Sequence, residues 1–233
     1  MIIAVCLAGL TVLGVIALVI WFEQLPSVAD LPTRVQSNLE QHHAAYTPLS
    51  EVPPDLQAAL IVTEDERFYQ NQGIDLIGLG RAIFDDLQAG RPIEGGSTLT
   101  EQLAKMVYVG NDNTIGRKLE TLGLALKIAH AYSKDEVLTL YLNQVYLGHG
   151  AYGVGQASEV YFQQPVRRLD LAECALLAGL PQAPAAYDPL RHPDLAERRQ
   201  AEVLQRMVDD GVISSAQAAE AQQTLQRILA REA

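Results

Sequence analysis

The chain has 233 residues, enough for one good-sized core or two small lobes, with 48% hydrophobic residues and a formal net charge of −11. That acidity excludes generic nucleic-acid binding, which needs a basic surface, so any anionic ligand must be held by a local basic cluster. The two cysteines, Cys6 and Cys174, lie in separate apolar settings and exclude a disulfide framework.

From Ile2 to Phe22 there are 21 residues without a charge, rich in Val, Leu and Ile. As a helix they would be about 30 Å long, which matches a bilayer core. Trp21 and Phe22 close the run as interfacial aromatics do. The spacing predicts a transmembrane anchor over residues 1–24. A cleaved signal peptide is the rival reading, but the run is too long for one and no basic segment precedes it. A body attached to such an anchor and exported faces the periplasm or the cell exterior.

Residues 25–54 hold five prolines (26, 32, 48, 53 and 54) and the pair His42-His43. They read as an extended linker with solvated histidines, leading to a body over residues 55–233. Pro53-Pro54-Asp55 open a helix whose apolar face carries Leu56, Ala59 and Leu60 and which delivers Glu64 at its end. There Glu64-Asp65-Glu66 abut apolar residues on both sides, a setting in which one carboxylate can be dry and base-like. Ile74, Ile77, Ile83, Phe84 and Leu87 follow as an amphipathic stretch, and Arg91-Pro92 with Gly95-Gly96 mark a turn.

Thr98-Leu99-Thr100-Glu101 reads as a capping box, with Glu101 reaching back to the chain at Thr98. Lys105 projects from the helix it starts. A long helix runs from about Thr114 to Tyr132 and carries Arg117-Lys118 near its start. Ser133 with Glu136, Asp170 with Glu173, and Ser214 with Gln217 announce three more helices. Alternating strand patterns are nearly absent, so the predicted fold class is all-α.

Five motifs stand in one order: Glu64-Asp65-x-x-Phe68; Gly96-Ser97-Thr98-Leu99-Thr100-x-Gln102-Leu103-Ala104-Lys105; Arg117-Lys118; Lys134-x-x-Val137-Leu138-x-x-Tyr141-Leu142-Asn143; and Arg199-x-x-x-Val203-Leu204. Together they resemble the motifs of the peptidoglycan glycosyltransferases, the family that includes the polymerising domain of class A penicillin-binding proteins. With one anchor and no room for a transpeptidase domain, the chain resembles the monofunctional type. The resemblance implies a lysozyme-like, two-lobed helical domain at the outer side of the bacterial inner membrane. It implies polymerisation of lipid II into β-1,4 glycan with inversion and loss of undecaprenyl diphosphate. Lipid II, the growing glycan, membrane lipid and proteins of cell-wall synthesis or division are the implied partners, and nucleic acid is not among them.

The chemistry suits these residue types. A sugar hydroxyl is a poor nucleophile until a base takes its proton, and the resemblance makes that base Glu64. The lipid diphosphate leaves as an anion and needs cations rather than an acid. Lys105, Arg117 and Lys118 are the candidates, with Ser97, Thr98 and Gln102 as hydrogen-bonding partners near a helix N-terminus, and Asp65 and Phe68 also assigned to substrate. Mg2+ or Mn2+ on the diphosphate is a further implied cation, although no dedicated metal cage is visible.

Four positions depart from the family pattern: Asn71 stands for a His, Glu101 for a Gln, Met106 for an Asn and Thr121 for a second functional Glu. An acid sits one residue early, at Glu120, which is assigned the second catalytic place. One residue is a 100° turn of helix and displaces a side-chain root by about 5 Å. The alternative reading is therefore a degenerate member that binds lipid II or serves as a scaffold. A lytic glycosidase using Glu64 with Glu101 or Glu120 is a third, and it leaves the basic residues without a purpose.

Overall fold

Helix starts in this chain are written in local hydrogen bonds. In the computed structural model, which describes residues 2–81, 96–110, 112 and 114–232 and the side chains of those from Thr11 to Ala230, the hydroxyl of Thr114 accepts the Arg117 N–H at 3.2 Å and opens the long helix Ile115–Ala131. Ser133 and Glu136 form a full reciprocal box before Lys134–Gln144, as do Asp170 and Glu173 before Leu171–Gly179. Ser214 and Gln217 exchange the same two bonds ahead of Ser215–Glu232.

In chain order the helices are α1 (Ile2–Gln24), α2 (Leu31–Gln41), α3 (Pro54–Glu64), α4 (Leu99–Ala104), α5 (Ile115–Ala131), α6 (Lys134–Gln144), α7 (Gly153–Phe162), α8 (Leu171–Gly179), α9 (Pro193–Asp209) and α10 (Ser215–Glu232). α4 continues without a break into a π turn over Lys105–Val109. Among the described residues there is no strand, only an isolated bridge between Tyr146 and Tyr152. The all-α expectation holds. The stretch through Ile83, Phe84 and Leu87 and the Arg91-Pro92 turn lie outside the described residues.

Two groups of helices share one apolar core. α4 packs on α5 and α6, and α6 also meets α2 and α7. α3, α8, α9 and α10 form the second group, with α8 between α3 and α10. Leu56, Leu60, Leu99, Leu103, Leu124, Ile128, Leu138 and Tyr141 are among its fully buried side chains. The end of α3 and the start of α4 meet where the two groups adjoin, and the functional cleft opens there.

Residues 25–54 are not an extended linker. Leu31–Gln41 within them form α2, whose Leu31, Val35 and Leu39 are completely buried against the body. Pro32 lies in the first turn of that helix, where a missing N–H costs nothing, so it starts the helix instead of breaking it. The segment is stapled down by Tyr132, whose hydroxyl donates to Val28 O at 2.7 Å, and by Asn143, whose amide bonds both the N–H and C=O of Thr47. His43 is exposed, while His42 is half-buried, its ring stacked on Tyr152 with centroids 3.5 Å apart.

No helix among the described residues is long and apolar enough to cross a membrane. Along α1, Val12, Leu13, Val15, Ile16, Leu18, Val19 and Ile20 all stand about half exposed or more. At its end α1 touches the body: Trp21 and Phe22 pack against the core, and Lys127 Nζ lies 5.2 Å from the Phe22 ring centre while donating to Leu25 O. Gly123 on α5 makes room for that approach, because a Cβ there would meet Trp21 and Leu25.

Candidate active site

α3 ends at Glu64, so its carboxylate is delivered at the floor of a cleft of about 1100 Å³. Gln102 on α4 donates from Nε2 to Glu64 Oε2 at 2.8 Å. Behind it, the hydroxyl of the fully buried Tyr141 donates to Gln102 Oε1 at 3.1 Å. Burial raises the carboxyl of Glu64 above its usual range, while the Gln102 amide and the charges of Arg199 and Arg206 pull it back. Burial and the neighbouring Glu64 push the Tyr141 phenol well up, which keeps it a donor. The result is a carboxylate of raised basicity in a fixed orientation, the property a general base needs.

The cations line the same cleft. Lys105, on the π turn, makes no ion pair or side-chain hydrogen bond among the described residues and lines the cleft directly. Lys118 Nζ lies 3.1 Å from Glu101 Oε2 and 3.3 Å from Ser97 Oγ. Arg117 lines the cleft too, with its guanidinium 3.0 Å from Glu120 Oε2 one turn along α5. π turns interrupt helices disproportionately at functional sites, and this one carries the unpaired lysine.

Several assigned residues serve other ends. Glu120 does not line the cleft; its carboxylate is spent on Arg117. The α5 position that does line it is Thr121, 6% exposed, whose hydroxyl is turned back onto Arg117 O at 2.9 Å. The 100° offset between the two positions is therefore not recovered by side-chain reach: the structure does not bring Glu120 into the cleft beside Glu64. Phe68 has no exposed surface at all and is core. Asp65 is buried and accepts from Leu99 N, and both its oxygens accept from Asn71 Nδ2. Lys134 donates to Asn71 Oδ1 at 2.9 Å and sits over the Phe68 ring. These four residues form a truss that fixes the end of α3 against the start of α4.

Thr98 is likewise consumed internally. Its oxygen accepts the Glu101 N–H and its hydroxyl donates to Gly73 O at 2.6 Å. Gly73 has φ +91°, and a Cβ there would meet Ala125 O, so only glycine meets Thr98 in this way. The expected capping box is half formed: Glu101 does not reach back to Thr98 but turns to Lys118. Gln102 lines the cleft with its amide nitrogen on Glu64.

Arg199 and Arg206 of α9 were outside the expected site. They stand seven residues apart, two turns on one face. Arg206 donates to Thr63 O at 2.8 Å, and Arg199, 5% exposed, holds Gly179 O and Glu202 while lying in the lining of the cleft. The i, i+7 pairing of two arginines was the available signal. Tyr141 carried no signal beyond its place in a motif.

An all-helical domain whose cleft gathers buried carboxylates, Glu64 among them, with several cations is the class the geometry defines. Residues 32–208 match the family model described as Transglycosylase. A transglycosylase candidate of Cupriavidus necator is 42% identical over 210 residues, covering 88% of this chain and 86% of that protein. Penicillin-binding protein 1F of Bacillus subtilis is 44% identical over 174 residues, 75% of this chain and 24% of its own. Penicillin-binding protein 1A of Escherichia coli is 40% identical over 232 residues, 93% of this chain and 27% of its own. The chain thus spans about a quarter of the length of those two penicillin-binding proteins. It belongs to the transglycosylase family, the peptidoglycan glycosyltransferases that its motifs resemble.

Proposed function

We propose that the chain polymerises lipid II into β-1,4-linked glycan by inverting glycosyl transfer. The observation that carries this reading is Glu64: a mostly buried, raised-basicity carboxylate in one cleft with Lys105, Arg117 and Lys118. Glu64 takes the proton of the acceptor sugar hydroxyl as its oxygen bonds to the anomeric carbon of the donor. The bond from that carbon to the diphosphate oxygen breaks, and its electron pair leaves with undecaprenyl diphosphate. The three cations and the Ser97 hydroxyl receive that charge, a stabilisation that grows towards the transition state. Glu64 then returns its proton to water.

A divalent ion on the diphosphate fits the leaving-group chemistry, but the described residues contain no group of three or more His, Cys, Asp and Glu side chains able to hold one. The steps above run through the chain's own side chains. The non-catalytic alternative gains no support, since base and cations are assembled together in the cleft. The exposed apolar face of α1 favours an anchor in the inner membrane, with the body on the outer side beside its lipid-linked substrate. Proteins of cell-wall synthesis or division are partners of this reading only through the shared substrate.

The test is the full chain in detergent with lipid II. Glycan polymer is the expected product. Release of soluble fragments from finished sacculi, without polymer from lipid II, would instead make the protein a glycosidase.

A further inference from the structure

Glu101 is the least expected acid in the cleft. It is 3% exposed, on the third position of α4, and its carboxylate rests on Lys118 at 3.1 Å. Ser97 lies against both members of that pair. Thr98 already caps the helix with its own oxygen, so Glu101 is not needed there. Under the proposed function, Lys118 must receive a diphosphate, and the carboxylate then faces a second anion across its own cation. A buried carboxylate beside an added like charge is held in its protonated form.

We propose that Glu101 takes up one proton when a diphosphate binds to Lys118, changing from the partner of the lysine into a hydrogen-bond donor to the diphosphate. Binding of the anionic leaving group is then coupled to proton uptake from water, and departure of the diphosphate returns that proton. No covalent bond is made or broken at Glu101. It is a positioning residue that sets how strongly the cleft holds the diphosphate at a given pH.

The surroundings agree. Among the described residues, the charge facing Glu101 from α5 is Lys118, and α6 presents the neutral Tyr141 to the neighbouring Gln102. Other charged groups lining the cleft include Lys105 on the π turn, Arg117 on α5, Glu64 and Asp65 at the end of α3, and Arg199 and Arg206 on α9. Glu64 is held by Gln102 and Asp65 by Leu99 N and Asn71, so neither is a partner of Glu101. Burial already raises the Glu101 carboxyl, with Lys118 opposing it, so losing part of that lysine to a ligand tips the balance towards the acid.

This inference rests on the proposed diphosphate chemistry, and its test separates the two. The probe is a symmetrical dialkyl diphosphate, which does not itself titrate near neutrality, bound to the full chain in detergent. Calorimetry at pH 8 in buffers of different ionisation enthalpy should give close to one proton taken up per ligand. Kd should weaken by about tenfold per pH unit above the midpoint. Glu101→Gln should bind without proton uptake, with a flat pH profile, and at least about tenfold tighter than the native chain at pH 8.

Equal proton uptake in both forms, no uptake by the native chain, or no binding at all would overturn the proposal. Should Glu101→Gln fail to fold, infrared difference spectra of Glu64→Gln, which keeps Glu101, must gain a protonated-carboxyl band on binding; its absence is equally fatal. Lipid II polymerisation without proton-coupled binding sinks only the role of Glu101. Proton-coupled binding without polymerisation sinks only the glycosyl transfer.

Discussion

Gln102 holds Glu64 by a 2.8 Å hydrogen bond and is itself held by the hydroxyl of Tyr141, so the base is oriented by a buried chain spanning three helices. The amide favours the ionised carboxylate and works against the burial that raises it. Removing it with Gln102→Leu raises the Glu64 carboxyl further. The base must be ionised to act, so the acid limb of the pH–rate profile moves to higher pH. Polymerisation should fall more at pH 6 than at pH 8, and an unshifted limb would contradict the orientation argument.

Tyr141→Phe removes the hydroxyl behind Gln102 and leaves its amide oxygen without a donor inside the core. Losing one such buried bond costs about 1–3 kcal/mol. The variant should stay folded and lose about tenfold in kcat with little change in KM, measured as initial rates of glycan formation.

Glu120 pairs with Arg117 and does not line the cleft. Glu120→Gln should therefore keep the polymerisation rate within about threefold, since a half-exposed pair one turn apart on a helix contributes about 1 kcal/mol or less. A loss of a hundredfold would return Glu120 to the chemistry.

Thr121 is the α5 side chain that lines the cleft one turn beyond Lys118. Thr121→Glu alone brings a second carboxylate to a cation already shared with Glu101, and the rate should drop. Combined with Glu101→Gln, the charge count is restored and most of the rate should return. The two changes should couple by more than about 1 kcal/mol in a double-mutant cycle, and simple additivity would show that the sites do not share Lys118.

Asn71→Leu breaks the truss between α3 and α4 by stripping two hydrogen bonds from the buried Asp65. A cost of about 1–3 kcal/mol is expected. For a chain of this size that is a fall in Tm of roughly 2–12 °C. An unchanged melting temperature would make the truss ornamental.

What was legible in the sequence is what is local. Ser133, Asp170 and Ser214 announced their helices correctly because a cap and its partner lie three residues apart. The helix from Pro54 placed Glu64 at its end, and the resemblance of the motifs singled it out from Asp65 and Glu66 beside it. The partners of Gln102 and Glu101 were not: Glu64 lies 38 residues from Gln102 and Lys118 lies 17 from Glu101, on other helices. Glu101 met the local rule for a capping box, and a lysine from α5 outcompeted the backbone for it. Residues 25–54 read as a linker because proline breaks a helix interior, whereas Pro32 sits in the first turn of α2, where a helix tolerates one. Glu120 and Thr121 could not be told apart until the rotation of α5 about its axis was known.

The central claim is that Glu64 takes the acceptor proton. Glu64→Gln keeps the shape and the hydrogen bond to Gln102 but cannot accept a proton. In a lipid II polymerisation assay it should lose at least about 100-fold in rate, the scale of general-base catalysis, while binding a dialkyl diphosphate within a few-fold of the native chain. Glycan formation by Glu64→Gln at a rate close to native would contradict the account.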